Sequence, residues 1–262
     1  MAAVLSVAPD QEIRDGLPEL TEFRERVYAC LSVRRDALFG VLDAVCCPVV
    51  VQSLAHLSLA ERHGRRHGSV YGALARGRID ADRLREELIR ARDRCWPLVF
   101  AVDTSTWCRC DAECSAGRGY YYHPSRHSAG QPIVAGWRYQ WIAQLGWAAD
   151  SWTAPMDAVR LDPRCEAPGP ERAAAGQIRD LLGRLGPTGA VPWFVFDGGY
   201  DPVQLSVECG DARAQLLTRV KSSRVFHPAD SESSTGTRRF SAASPAPRCY
   251  VPSAGLAITE HR

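Results

Sequence analysis

The chain has 262 residues, 45% of them hydrophobic and 24% charged, and a formal net charge of +2. That length holds one large domain or two small ones with a real core, and the composition is that of a folded globular protein, not a fibrous or disordered one. The near-zero balance excludes a protein that grips a polyanion by bulk charge, so any such contact needs a local basic patch.

Residues 1–18 read as a loose leader. From Glu19 to about Cys47, Phe23, Val27, Leu31, Leu38, Leu42 and Val45 recur at mostly helical intervals, and Pro48 stops the pattern. An apolar stretch from Val49 to Ala60 precedes the basic run Arg62–His67, which reads as a solvated helix end. A short helix over Val70–Ala75 ends at Gly77, and Asp80 or Asp82 N-caps a further helix carrying Leu84, Leu88 and Ile89. Residues 19–95 therefore form an all-helical region.

Composition changes at Trp96-Pro97. The run Leu98–Asp103 is a strand, Tyr120–His123 another, and residues 132–147 a third, with Tyr139 and Trp141 on one face against Arg138 and Gln140 on the other. Ile178, Leu181, Leu182 and Leu185 mark a helix. Trp193–Asp197 is a strand, Asp201-Pro202 opens a helix as cap and first residue, and residues 215–220 close the series with a strand. Strands followed by strand, helix and strand in alternation give an α/β fold with a mixed sheet, its helical crossovers joining parallel strands. From Pro228 to Arg262 serine, alanine and proline dominate, and the stretch reads as a disordered tail.

Two strands each end in an aspartate, Asp103 and Asp197. A carboxylate at the end of an apolar run is costly unless it is paired, hydrogen-bonded or bound to a metal. Taken singly, each acid reads equally well as the cap of the loop after its strand. Together on one sheet they form a site for a hard divalent cation, and Gly198-Gly199 lets backbone or ligand approach the second acid. The matching chemistry is two-metal phosphoryl transfer. The stretch Arg118–Gly130 is basic and aromatic, suited to phosphate contact and base stacking or, equally, to a solvated hairpin with a buried tyrosine face.

The ten cysteines sit in a chain whose start, Met1-Ala-Ala-Val-Leu-Ser-Val-Ala8, lacks the basic opening of a secretory signal and soon meets Pro9-Asp10. No apolar run nears the ~20 residues of a membrane span. They therefore read as reduced thiols of a cytoplasmic protein, with Cys30, Cys46, Cys47, Cys95 and Cys209 as small core residues. The Cys108, Cys110, Cys114 spacing departs from paired zinc knuckles. Lys221 is the one lysine among 32 basic residues, a bias that a GC-rich coding sequence produces as readily as phosphate recognition does.

Three stretches together, Phe100–Trp107, Gly119–Trp137 and Phe194–Leu205, resemble bacterial insertion-sequence transposases of the DDE superfamily. More narrowly they resemble the actinobacterial group in which a helical N-terminal region precedes a ribonuclease H-like catalytic core, and the likeness runs from about residue 20 to 227. The resemblance implies a core over 96–227, Asp103 and Asp197 as the first two catalytic aspartates and metal ligands, and Mg²⁺ or Mn²⁺ as cofactor. It implies double-stranded DNA as partner, at terminal inverted repeats and target, in a bacterial, nucleoid-associated setting, with homo-oligomer formation left open. Arg118, His123, Arg126, His127, Arg138, Lys221 and Arg224 are the candidate DNA contacts.

The family's third acid, a glutamate on a helix, has no counterpart on a helical pattern here. Glu232 lies in a serine cluster and Glu260 two residues from the end. The expectation is a shortened or frameshifted, catalytically impaired copy whose tail is foreign to the family, with a sheet that exposes apolar surface and an unpaired edge. Two alternatives remain: a non-catalytic DNA-binding regulator derived from a transposase, and an unrelated metal-dependent nuclease or phosphatase using the same two aspartates.

Overall fold

The computed structural model describes residues 11–47, 53–60, 63–123, 132–146, 152–162, 169–220 and 222. The chain divides into two units, one ending at Ala91 and the other starting at Arg92. No helix among the described residues is long and apolar enough to cross a membrane.

The first unit contains α1 (Gln11–Ala29), β1 (Leu31–Val33), α2 (Arg35–Val45), α3 (Leu54–Leu57), α4 (His67–Arg76), β2 (Arg78–Ile79) and α5 (Ala81–Ala91). Its core gathers Leu31, Leu38, Val41, Ala44, Leu57, Val70 and Ala73. The single helical pattern read from Glu19 to Cys47 is two helices. Leu31 leaves the helix to pair with Ile79 in a short antiparallel ladder, and Arg34 turns the chain at φ 52°. The region is thus helical with one small two-stranded sheet. The first helix also begins at Gln11, within the stretch read as leader, because Pro18 is accommodated inside α1 and does not start it. Glu87, buried on α5, pairs with Arg26 of α1 at 2.9 Å. Asp80 is the cap that α5 uses, its Oδ1 accepting from Arg83 N–H at 3.1 Å. Gly77 caps the C-terminus of α4, where a Cβ would lie 2.6 Å from Leu38 Cδ1. Of the five cysteines read as core, Cys30 and Cys209 are buried, whereas Cys46, at the C-cap of α2, and Cys95, in the bend before the next strand, are exposed.

The second unit contains β3 (Val99–Cys108), β4 (Gly119–Tyr122), β5 (Ile133–Leu145), β6 (Thr153–Leu161), α6 (Pro170–Leu185), β7 (Trp193–Phe196), α7 (Pro202–Glu208) and β8 (Gln215–Thr218). The sheet order is β4-β5-β3-β7-β8, with β6 also on β5. Strands β4, β5 and β6 form antiparallel pairs, as does β5 with β3, while β7 and β8 run parallel to β3. This is a mixed α/β sheet with flanking helices, the class the sequence pattern predicts. Strand β6 was not placed by the sequence, since Pro155 interrupts its apolar pattern and sits at an irregularity in the pairing with β5. Asp201 caps α7 as expected, accepting from Val203 N–H at 2.9 Å.

Phe100 and Val102 of β3, Ile142 of β5 and Phe194 and Phe196 of β7 are buried with Ile178 and Leu181 of α6. Phe100 and Phe194 stack at 5.3 Å across the parallel pair. On the same side lies a buried polar chain. Gln140 of β5 donates to Gln177 Oε1 of α6 at 2.9 Å. Gln177 donates to Asp157 Oδ2 of β6 at 2.8 Å, and the Tyr200 hydroxyl donates to Gln140 Oε1 at 3.3 Å. A buried amide left without partners costs its full desolvation penalty. Gln177→Met is therefore expected to destabilise the protein by roughly 1–3 kcal/mol in urea unfolding; a change under about 0.5 kcal/mol, the range of a neutral surface substitution, would contradict that role for the network.

Candidate metal centre

The parallel register pairs Val102 with Phe196, so Asp103 and Asp197 occupy the next step on adjacent strands, about 4.8 Å apart between strand axes. The alternation of a strand sends Phe100, Val102, Phe194 and Phe196 into the core and both aspartates to the opposite, open face. Asp103 lies within β3, which continues to Cys108, and Asp197 follows the last residue of β7. The sequence placed both acids at strand ends; the first strand runs on past its acid because Thr104–Cys108 pair with Gln140–Gly136 of β5.

Each carboxylate is oriented by backbone. Asp103 Oδ1 accepts from Thr104 N–H at 2.7 Å, and Asp197 Oδ1 accepts from Gly199 N–H at 2.9 Å. A Cβ on residue 199 would stand 3.0 Å from that oxygen, which is why glycine fits beside the acid. The Asp103 proton is held above the ordinary carboxylate value of 3.8, first by partial burial and then by the negative charge of Asp197, against the opposing Thr104 N–H and Arg138 charge. Two hard oxygen donors side by side, with the Asp103 charge made costlier by that of Asp197, are the donor set a divalent cation relieves, and on that ground the residues fit a divalent metal ion. Among the described residues no group of three His, Cys, Asp or Glu side chains adds a further ligand.

Tyr200 packs edge-on against Phe196 at 5.1 Å. Burial, together with the nearby charges of Asp103, Asp197 and Glu171, raises its phenol well above the usual value. It therefore remains a neutral donor, fixed on Gln140. Glu171, buried at the start of α6, accepts from Asp201 N–H at 3.0 Å and so ties the helix to the loop after Asp197. The sequence reading missed this supporting set of Tyr200, Gln140, Gln177 and Glu171. The available signal was Gln140 and Gln144 alternating with Ile142 along a strand, a spacing that puts polar amides on the core side.

The candidate DNA contacts separate. Arg138 is half-buried, its guanidinium 5.2 Å from the Tyr121 ring, close enough to Asp103 to act on its charge. Arg118 precedes β4 and donates Nε to the Arg109 carbonyl and Nη2 to the Cys110 carbonyl, each at 3.0 Å. His123 follows β4, its N–H donating to the Pro132 carbonyl at 2.8 Å. Arg126, His127, Lys221 and Arg224, like Glu232 and Glu260, lie outside the described residues.

A family model described as DDE superfamily endonuclease matches residues 26–250. The match continues past Pro228, into the stretch that the sequence reading took as foreign to the family. No curated protein matches the chain. Among solved structures, the chain is similar to a piggyBac transposase in a synaptic complex with hairpin DNA, at 12% identity and a TM-score of 0.44. That similarity covers 74% of this chain and 43% of the other, so the chain spans less than half the length of that transposase chain. The family pattern spans most of the sequence, including both units and both aspartates, and the chain belongs to the DDE superfamily endonucleases.

Proposed function

We propose that the chain is a DDE-type transposase that cuts and joins DNA at insertion-sequence ends by two-metal phosphoryl transfer. The observation that carries the reading is the equal register of Asp103 and Asp197 on adjacent parallel strands, in a family whose endonucleases generally use divalent metals. Bound Mg²⁺ or Mn²⁺ would activate the attacking water or DNA 3′-hydroxyl and stabilise the leaving oxygen. Asp103 and Asp197 would hold the ions through their carboxylates. Thr104 and Gly199 N–H groups orient those carboxylates, while Tyr200 and Gln140 fix the layer beneath. Terminal inverted repeats are the substrate this reading implies, and Mg²⁺ the ion in a bacterial cytoplasm.

The described residues supply two carboxylates and no third ligand. We also propose a second reading, in which catalysis is impaired and the chain binds element ends without cutting them, because Glu232 and Glu260 lie on no helical pattern of the sequence. A salt-dependent gel shift on inverted-repeat duplex that is unchanged in Asp197→Ala supports this second role.

Ionising Asp103 costs folding free energy, because its folded pKa is raised: the stability held below 3.8 is lost as pH rises through the raised value. In metal-free melts, Asp103→Asn is therefore expected to be more stable than the parent near neutral pH, with the gap closing as pH falls toward 3.8. Mg²⁺ or Mn²⁺ should raise the parent's melting temperature and leave Asp103→Asn and Asp197→Asn unmoved. Equal metal shifts in all three proteins would overturn the site. With inverted-repeat DNA, the 262-residue chain is expected to nick at or near background in Mg²⁺. Robust nicking that disappears in Asp103→Ala would show that the impairment is wrong while the aspartate is catalytic.

A further inference from the structure

Strand β5 is inverted relative to the usual amphipathic pattern. Gln140, Ile142 and Gln144 point into the core, while Trp137, Tyr139 and Trp141 stand on the open face. By register Trp141 lies beside Asp103, Tyr139 beside Ser105 and Trp137 beside Trp107. Tyr120 and Tyr122 of β4 continue the same face opposite Ala135 and Ile133. Trp141 is 42%, Trp107 57%, Tyr122 64% and Tyr120 73% exposed. An aromatic patch of this extent on a soluble surface marks a contact site.

The rings are held in place. Trp141 Nε1 donates to Ser105 Oγ at 2.8 Å, and Trp137 Nε1 donates to the Ala116 carbonyl at 3.1 Å. Both indole donors are thus engaged with protein, and what the rings offer outward is π surface. Trp107 and Trp137 lie 5.6 Å apart and Tyr139 and Trp141 6.4 Å apart. Arginines flank the stripe: Arg109 is 5.8 Å from the Trp107 ring and Arg118 5.8 Å from the Tyr120 ring. Asp111 shares the Arg109 charge, whereas Arg118 is pinned by backbone carbonyls. Fixed aromatic faces interleaved with guanidinium groups are the chemistry of a single-stranded nucleic-acid track.

We infer that this stripe is a stacking track for unpaired nucleotides of the DNA substrate, leading along β4 and β5 to Asp103. The inference rests on the proposed action on DNA, since it is the two aspartates at the end of the stripe that make its cargo a nucleic acid. Same-face residues two apart on a strand are separated by about 6.7 Å, so successive rings can each take one base of an extended strand.

The test uses the full chain and a single-stranded oligothymidylate, with tryptophan quenching as the readout. Binding is expected to quench emission, and Tyr120→Ala with Tyr122→Ala to weaken it about tenfold or more, the scale of a base–aromatic stack. Phenylalanine at both positions should retain the affinity, and duplex DNA binding should change less than twofold. Unchanged oligothymidylate affinity in the alanine variant would overturn the track. So would a dimer that this variant splits into monomers without loss of single-strand affinity, which would assign the face to a second copy. Absence of single-strand binding alongside intact, aspartate-dependent metal stabilisation removes the track and leaves the metal site standing. The converse, single-strand binding lost only in the alanine variant with no metal response, keeps the track and removes the metal site.

Discussion

The parallel pairing of β3 with β7 is the constraint on which the candidate centre depends. Asp103 and Asp197 are 94 positions apart in the numbering, and only the register Val102 to Phe196 sets them at one level. A slip of one residue would reverse every side chain of β7 between faces, taking Phe194 and Phe196 out of the core and Asp197 into it. The cost of exposing two buried phenylalanines, each contributing about 1.5–3 kcal/mol by burial, fixes the register. The same apolar residues that stabilise the sheet therefore position its charges.

The buried amide chain adds a second constraint. Asp157 on β6, Gln177 on α6, Gln140 on β5 and Tyr200 after β7 are linked in one path of hydrogen bonds. That path joins β5, β6, α6 and the loop carrying Asp197's neighbours. A fully satisfied network of this kind specifies one arrangement, because any alternative strands polar groups in the core. Its consequence is felt on the other side of the sheet. With glutamines taking the inward positions of β5, the aromatic residues are directed outward, next to the acid pair.

Much of this was legible in the sequence where local chemistry decides it. The apolar runs ending at Asp103 and Asp197, the Asp201-Pro202 helix start, the Ile178–Leu185 period and the faces of β5 all carry their own signal. The misses have physical causes. Leu31 fits a helical spacing, yet its burial is satisfied by a strand partner far along the chain, Ile79, which no local pattern records. Strand β6 is obscured by Pro155 at an irregular pairing. The sequence gives the two faces of β5 but not which is buried, since that depends on Gln177 arriving from α6 to satisfy Gln140. Tyr200 carries no local signal of burial, and only the fold brings its hydroxyl to Gln140 in the core.

The central claim is that Asp103 and Asp197 jointly hold a divalent cation. Anomalous diffraction from crystals of the full chain soaked in saturating Mn²⁺ tests it most directly. The account predicts a manganese peak within coordinating distance of both carboxylates. Well-ordered aspartates with no peak between them, or manganese bound only elsewhere, would contradict it.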